Sequence, residues 1–223
     1  MLLLVYVNDV ILIGNTLNLI NRVVIALGKK FSLKDFGSIN FFLGIQVSQT
    51  DSGLLLTQSK YIDDLLHKLK LTSLKSSPTP FIVEWCFSVT RGIPMSDMFI
   101  YRSTIGVLQY LTNTRSDIAY IVNHLSQFLQ QPTDIHWQGV KRVLQYLSGT
   151  KDMGLLIQPS DDFAIITFSN IDWASDINDR KSVAAYCVYL SNSLVSLSSK
   201  KQTTIARSST KSEYRALAYT YIC

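Results

Sequence analysis

Two periodicities of apolar positions divide the chain into predicted helices and strands. Apolar residues recur at spacings of three and four in several segments, which is the spacing of one face of an α-helix. In one segment the stripe of Val140, Leu144 and Leu147 follows Asp134, the predicted N-cap, and ends at Gly149. The predicted helices are Thr16–Leu27, a segment that begins near Tyr61, Tyr101–Thr112, Ile118–Leu129, Asp134–Gly149 and Ser212–Ile222.

Shorter apolar runs without the helical period predict strands. Two pairs of runs flank the polar turns Asn8-Asp9 and Asp51-Ser52-Gly53, and each pair predicts a hairpin. Segment 72–100 holds three of the five prolines and is predicted to be a linker or long loop. The predicted strands are Leu2–Val7, Val10–Ile13, Phe41–Ser48, Leu54–Gln58, Leu155–Ile157, Ala164–Ser169, Val183–Leu190 and Leu194–Leu197. Together these elements predict an α+β or mixed α/β fold.

Composition narrows the class of protein. The chain has 223 residues, of which 47% are hydrophobic, so it is long enough and apolar enough for a folded core. We expect neither a signal peptide nor a membrane span, because the first apolar run lacks a basic flank and Asn8-Asp9 interrupts it. Cys86, Cys187 and Cys223 have no metal-ligand spacing and are predicted to be free thiols in a reducing compartment.

The net charge of +5 permits a polyanionic partner without requiring one. Positive charge is concentrated near the C-terminus, where Lys200, Lys201 and Arg207 lie close together in sequence. These three residues are the candidate nucleic-acid-binding residues, although a solvated basic face is the simpler interpretation of such a run. His124 and His136 are predicted to be packing or capping residues rather than catalysts, because no ligand partner lies at a useful spacing.

The tip of the first hairpin has two interpretations. Asn and Asp tolerate positive φ, so Asn8 and Asp9 suit a type I′ turn. Alternatively, the tip presents acidic side chains to metal ions. The hairpin sequence alone leaves both interpretations open.

Seven phrases in order closely resemble the C-terminal part of a copia-type retrotransposon Pol polyprotein. Short plant reading frames that are labelled uncharacterised mitochondrial proteins are similar to it as well. The resemblance spans nearly the whole chain. The phrases are "LLLVYVNDVILIG" (2–14), "FSLKDFGSINFFLGIQV" (31–47), "GLLLTQSKYIDDLL" (53–66), "YRSTIGVLQYLTNTRSDIAYIVNHLSQF" (101–128), "HWQGVKRVLQYLSGT" (136–150), "FSNIDWASD" (168–176) and "SKKQTTIARSSTKSEYRALA" (199–218).

This resemblance implies three regions. Residues 1–80 would hold two palm hairpins of a reverse transcriptase and the start of its thumb. Residues 81–157 would be the connection helices. Residues 158–223 would be a truncated ribonuclease H-like domain, an incomplete sheet with one helix.

The resemblance also implies two-metal phosphoryl chemistry, in which carboxylates hold two Mg²⁺ ions. At the palm tip the family has two Asp residues, whereas this chain has Asn8 followed by Asp9. The family's other polymerase acid belongs to an upstream strand that we expect to be absent. We therefore predict an incomplete polymerase site that holds no cofactor.

The ribonuclease H-like half follows the same pattern. Asn170 stands where the family has its first catalytic Asp, and Glu213 matches the family's catalytic Glu. Asp172 points to the same face as Asn170 but lies about 6.5–7 Å further along the strand. Lys211 replaces a usual Glu, and we expect the remaining acids to be missing. Asp9 and Glu213 are thus predicted to be vestigial catalytic residues.

Three functions remain open at this point. The leading hypothesis is a remnant of a reverse transcriptase and ribonuclease H that is inactive on its own. The second is a non-catalytic module that binds an RNA–DNA hybrid or other nucleic acid weakly, through phosphates. The third is an enzyme that a second chain completes. We expect neither a membrane partner nor a small-molecule substrate, and the sequence does not identify an organelle.

Overall fold

The chain forms two compact units with a boundary inside one strand. The computed structural model describes residues 1–7, 9–82, 85 and 87–222. Contacts between Cα atoms separate Met1–Val47 from Ser48–Cys223. The three regions predicted from the resemblance, with boundaries at residues 80 and 157, rest on a different criterion and stay a prediction. The mixed α/β character is confirmed, with several small sheets and six helices.

The first unit is built on the predicted hairpin. Strands β1 (Leu2–Tyr6) and β2 (Asp9–Ile13) pair antiparallel, and helix α1 (Leu17–Gly28) follows them. Strand β3 (Phe41–Phe42) then pairs with the start of β4 (Ile45–Thr50). No residue that the structure describes in β1, β2 or α1 is buried. The apolar stripe of α1 therefore does not form a core within this unit.

A tight turn divides the strand that was predicted at Phe41–Ser48. Leu43 and Gly44 both have positive φ, 50° and 80° respectively. Such a conformation reverses the backbone and ends a strand. The prediction of one continuous strand was therefore wrong, because an apolar run does not reveal a turn that contains Leu43.

Four helices of the second unit enclose the hydrophobic core. They are α2 (Ser59–Lys68), α3 (Met98–Leu111), α4 (Ala119–Ser126) and α5 (Asp134–Gly149). A 3₁₀ turn at Ser116–Ile118 precedes α4, so the predicted helix Ile118–Leu129 is shorter than expected at both ends. The fully buried members of the core come from all four helices and the 3₁₀ turn: Ile62, Tyr101, Ile105, Leu108, Leu111, Ile118, Leu125, Val140, Val143, Leu144 and Leu147.

Two antiparallel groups of strands complete the second unit. Strand β5 (Gly53–Thr57) pairs with β6 (Leu155–Ile157), at the end of the helical segment. Strands β7 (Ile165–Asp172), β8 (Val183–Leu190) and β9 (Ser193–Lys201) form a sheet with β8 in the centre. The last helix, α6 (Ser209–Ile222), packs on β7 and β8. Both β7 and β9 extend three or four residues beyond their predicted C-terminal ends.

The start of α5 differs from the prediction. Thr133, not Asp134, is the N-cap, and it forms a capping box with His136. The Thr133 backbone N–H donates to His136 Nδ1 over 3.0 Å, while Asp134 Oδ1 accepts from the Ile93 N–H over 2.7 Å. Asp134 therefore tethers the preceding loop instead of capping the helix. The prediction of a capping role is confirmed for His136.

His136 is a buried neutral imidazole. Its side chain stacks on Phe128, with 3.9 Å between ring centroids, and its Nε2 has no hydrogen-bond partner in the part of the chain that the structure describes. Burial lowers the pKa of His136 to about 4, and the Ser88 backbone opposes this shift only in part. The ring therefore acts as a packing group at neutral pH.

Arg115 links two helix ends through a buried guanidinium. Its side chain is 1% exposed and forms a two-bond ion pair with Asp117, with N–O distances of 3.0 and 2.7 Å. It also donates to the carbonyl and hydroxyl oxygens of Thr150, and the Tyr146 hydroxyl donates to Asp117 over 2.6 Å. Burial by itself raises the pKa of Asp117, but the hydrogen bonds from Arg115 and Tyr146 outweigh it and lower that pKa.

No helix among the residues that the structure describes has the length and apolar character needed to cross a bilayer. Of the three predicted free thiols, Cys187 is unpaired in the structure, whereas Cys86 and Cys223 lie outside the described residues.

Two helical glycines provide a matched test of the core. A Cβ on Gly106 of α3 would meet no atom within 4 Å, whereas a Cβ on Gly139 of α5 would lie 2.7 Å from Phe87 Cζ and 3.0 Å from Leu125 Cδ2. Gly106→Ala should raise the free energy of unfolding by about 0.5–1 kcal/mol through helix propensity. Gly139→Ala should lower it by about 1–3 kcal/mol through overpacking. Urea denaturation of both variants checks this, and equal changes would contradict the packing of α5 against α4.

Candidate functional site

The predicted polymerase tip lies at the first turn. Asp9 begins β2 opposite Tyr6 and is exposed, and its side chain makes no hydrogen bond or ion pair with any described residue. Asn8 lies outside the described residues. Val7, next to the turn, has a positive φ of 50°. The hairpin is confirmed, but the prediction that Asp9 is a turn residue was wrong, because Asp9 pairs within the strand and the positive φ belongs to Val7. A metal-binding role is not tested and stays a prediction for both positions.

Asn170 and Asp172 lie near the C-terminal end of β7. Both are exposed, and strand alternation directs them to one face of the sheet. Ala185 and Val183 of β8 are their direct neighbours. Neither side chain has a hydrogen bond or an ion pair with another described residue. The two positions are therefore accessible, and they share a face, as the sequence analysis predicts.

Glu213 lies on α6, which packs against the opposite face of this sheet. Thr167 and Ser169 of β7, which alternate with Asn170, line a cavity of about 490 Å³ together with Leu217 and Thr220 of α6. Glu213 itself is exposed, beside the buried helix stripe of Ser212, Ala216 and Thr220. Strand alternation thus assigns Asn170 and α6 to different faces of the sheet.

The carboxylates do not gather into a metal centre in the part of the chain that the structure describes. No group of three His, Cys, Asp or Glu residues there could hold a metal ion. Two adjacent Mg²⁺ ions need several oxygen ligands, preferably anionic. The described side chains therefore do not fit the metal pair that the family uses.

The three candidate basic residues have different environments. Strand alternation puts Lys200 and Lys201 on opposite faces of β9. Lys200 pairs with Ala184, which in turn pairs with Ile171. Ile171 alternates with Asn170, as Ser169 does, so Lys200 lies on the face of the sheet that packs against α6. Arg207 lies in the loop before α6 and is exposed, as is Lys200. Lys201 points to the other face.

Lys201 is held by two carboxylates and one amide. Its Nζ donates to Asp176 Oδ2 over 2.8 Å and to Gln127 Oε1 over 3.2 Å, and it lies 3.0 Å from Asp179 Oδ1. The Asp176 side chain is only 3% exposed. Gln127 follows helix α4, so the hydrogen bond from Lys201 to Gln127 attaches the sheet to the helical core. We name this group of four residues the Lys201 clamp.

The charged residues of the clamp shift each other's pKa values. Burial alone raises the pKa of Asp179, but hydrogen bonds from Lys201 and Lys181 outweigh burial and lower it to about 2. Burial also tends to lower the pKa of Lys201, whereas its bonds to Asp176 and Asp179 raise it overall. Both directions show that the charged forms are stabilised by each other.

Asp176 also organises the loop between β7 and β8. Its Oδ1 accepts from the backbone N–H groups of Asn178 and Asp179, over 2.8 and 3.1 Å. The Asn178 side chain then accepts from the Ser88 hydroxyl over 2.9 Å, which joins this loop to the segment before α3. Sequence analysis missed these residues. The only available signal was the density of Asp and Asn residues in "DWASDIND".

Comparison with known protein families identifies the N-terminal region. Residues 1–83 match the family model described as "Reverse transcriptase (RNA-dependent DNA polymerase)". No solved structure matches the chain.

Comparison with curated proteins covers nearly the whole chain. The chain is 40% identical over 218 residues to a retrovirus-related Pol polyprotein from transposon RE2 of Arabidopsis thaliana. The aligned region covers 98% of this chain and 15% of that protein. The chain is also 40% identical over 220 residues to an uncharacterized mitochondrial protein of Arabidopsis thaliana, covering 99% of this chain and 91% of that protein. A putative transposon Ty5-1 protein of Saccharomyces cerevisiae is 30% identical, with 94% and 69% covered. The chain thus spans only about a sixth of the Pol polyprotein.

The clamp predicts that two adjacent lysines differ in their contribution to stability. Lys201→Met leaves the buried Asp176 carboxylate without its cation and should lower the free energy of unfolding by about 1–3 kcal/mol. Lys200→Met, the matched control, should change it by less than about 0.5 kcal/mol. Chemical denaturation at pH 7 measures both.

The same pair of variants gives a pH test. The pKa of Asp179 is lowered from 3.8 to about 2 in the folded chain. Its contribution is therefore present above pH 3.8 and is lost as the pH falls toward 2. The difference between the native chain and Lys201→Met should shrink over that range, and a difference that is constant with pH would contradict the assignment.

Proposed function

This chain belongs to the family of copia-type retrotransposon Pol polyproteins and carries reverse transcriptase sequence at residues 1–83; we propose that it is a remnant that does not catalyse polymerisation or hybrid cleavage by itself. The observation that carries this proposal is Asn170, a neutral amide on an accessible face of β7 at the position of the family's leading ribonuclease H acid. An amide cannot supply the negative charge that keeps two cations together.

The surroundings of Asn170 support the proposal. Asp172 is the nearest acid along the strand, and the two Cα atoms of such a pair are about 6.5–7 Å apart. Glu213 belongs to a helix on the other face of the sheet, and Lys211 adds a positive charge two residues before it. An Asp among other acids is destabilised when no metal binds, so Asn relieves repulsion in a protein without this chemistry.

Restoring the leading acids tests the proposal. We expect the double variant Asn8→Asp with Asn170→Asp to show neither primer extension nor cleavage of the RNA strand in an RNA–DNA hybrid, with Mg²⁺ or Mn²⁺. The reason is that the restored carboxylate at residue 170 does not gain Glu213 as a neighbour on its own face. Gel assays with labelled primer and labelled hybrid measure both activities.

The matched control adds Glu213→Gln to the double variant. Hybrid cleavage that the double variant shows and the control lacks would prove that residue 170 and Glu213 cooperate, and would overturn the proposal. Primer extension above the level of the native chain would overturn the proposal for the polymerase site.

A specific observation also favours nucleic-acid binding as a second function. Lys200, Arg207 and Lys211 are exposed and form no ion pair with a described carboxylate. Lys200 shares its sheet face with α6, and Arg207 and Lys211 lie just before and within the first turn of that helix. We name these three residues the α6 basic group. Its charge suits phosphate contacts without sequence preference.

The α6 basic group predicts the salt dependence of binding. Affinity for an RNA–DNA hybrid should be weak and should fall as salt rises, because binding releases counterions from phosphates. The double variant Lys200→Ala with Arg207→Ala should reduce the slope of log K against log salt by about 2. Fluorescence anisotropy across a salt series measures this slope. Lys75→Ala, an exposed lysine in the loop before α3, is the control; an equal slope in both variants would exclude this group as the contact surface.

A further inference from the structure

A small cavity lies between α4 and the sheet in the second unit. Its volume is about 250 Å³, and it is separate from the cavity under α6. Tyr120 and His124 of α4 form one side, and Asp172 of β7 forms part of the other. This α4 cavity lies on the sheet face that carries the Lys201 clamp, opposite the α6 basic group.

Aromatic rings line the inner wall of the α4 cavity in an unbroken series. Phe81 meets Tyr120 edge to face, with 5.9 Å between ring centroids, and Tyr120 meets His124 at 6.1 Å. His124 continues to Phe87 at 5.5 Å, and Phe87 to Trp85 at 5.9 Å. The packing of each ring against the next fixes its orientation. The cavity therefore offers π-faces that need no rearrangement before a ligand binds.

The charge of the cavity is negative because only one carboxylate is neutralised. Asp176 is paired with Lys201, so it contributes little net charge. Asp172 is exposed, and its carboxylate forms neither a hydrogen bond nor an ion pair with a residue that the structure describes, although its backbone carbonyl accepts from the Ser175 hydroxyl. Burial, together with the charge of Asp172, raises the pKa of Tyr120, which shows that this carboxylate acts on the aromatic wall.

Among the described residues, no free positive charge competes inside the cavity. Burial lowers the pKa of His124, and the nearby charge of Asp176 opposes this only in part. The imidazole is therefore neutral at pH 7. The ammonium of Lys201 is held by Asp176, Asp179 and Gln127. One carboxylate and several aromatic faces remain available to an incoming cation.

We propose that the α4 cavity binds a guanidinium group, of the kind carried by an arginine side chain. A guanidinium stacks on aromatic faces and forms two parallel hydrogen bonds to a carboxylate, which matches Tyr120, Trp85 and Asp172. The volume suits a small cationic head, since drug-sized ligands occupy about 300–1,000 Å³. A phosphate is unsuited to it, because the available charge is negative.

Titration of the full chain with three probes tests this proposal. N-acetyl-arginine methylamide carries the guanidinium in a peptide setting, agmatine carries it as a free small cation, and N-acetyl-citrulline methylamide is a neutral analogue of the same shape. Two-dimensional NMR follows the indole N–H of Trp85, which Trp85→Phe identifies. We expect saturable shifts with a Kd of about 1 mM for at least one guanidinium probe, and at least tenfold weaker binding of citrulline.

A matched pair of variants locates the binding carboxylate. Asp172→Asn should weaken guanidinium binding at least fivefold, whereas Asp161→Asn, another exposed aspartate, should leave it unchanged. Stronger binding of the arginine probe than of agmatine would identify a peptide source, and the reverse a free cation. Either result supports the proposal when Asp172→Asn weakens that binding at least fivefold. Equal binding of citrulline, no shift up to 50 mM probe (about fifty times the expected Kd), or equal loss in both aspartate variants would overturn it.

Discussion

The buried guanidinium of Arg115 is the interaction on which the second unit depends. An unpaired charge at 1% exposure would be very costly, so the residues around Arg115 must supply a counter-charge and hydrogen-bond acceptors in one arrangement. Asp117 and Thr150 accept four hydrogen bonds from the guanidinium, at the start of the α4 segment and the end of α5. The network thereby fixes where one helix begins and another ends. The core helices then pack around a geometry that hydrophobic contacts alone would leave less specific.

A second, smaller group of polar contacts attaches the β7–β9 sheet to this core. The Lys201 clamp and the Asn178–Ser88 hydrogen bond join the sheet to α4 and to the loop before α3. Both contacts depend on Asp176, whose buried carboxylate shapes the loop and neutralises the lysine. The apolar core and the sheet are thus connected by few groups, each with several roles. The α4 cavity lies at this junction.

Periodicity predicted most of the fold because the core helices bury their stripes as the spacing requires. Val140, Leu144 and Leu147 were identifiable for this reason. The different environments of Lys200 and Lys201 could not be predicted, because they depend on how far β9 extends and in which register it pairs with β8. The polar run after Leu197 concealed that extension. Likewise, the resemblance identified Asn170 and Glu213 but not the sheet faces to which they belong.

The first unit has a different character, since no described residue of β1, β2 or α1 is buried. Its hairpin is held by backbone pairing between two strands, and a two-stranded hairpin is marginally stable in water. Amide protons in β1 and β2 should therefore exchange with solvent through local opening, at a free energy well below that of global unfolding. Amides of α3 and α5, by contrast, should exchange only when the whole second unit opens. The start of the segment that matches the reverse transcriptase model would thus open locally while the helices around Arg115 stay folded.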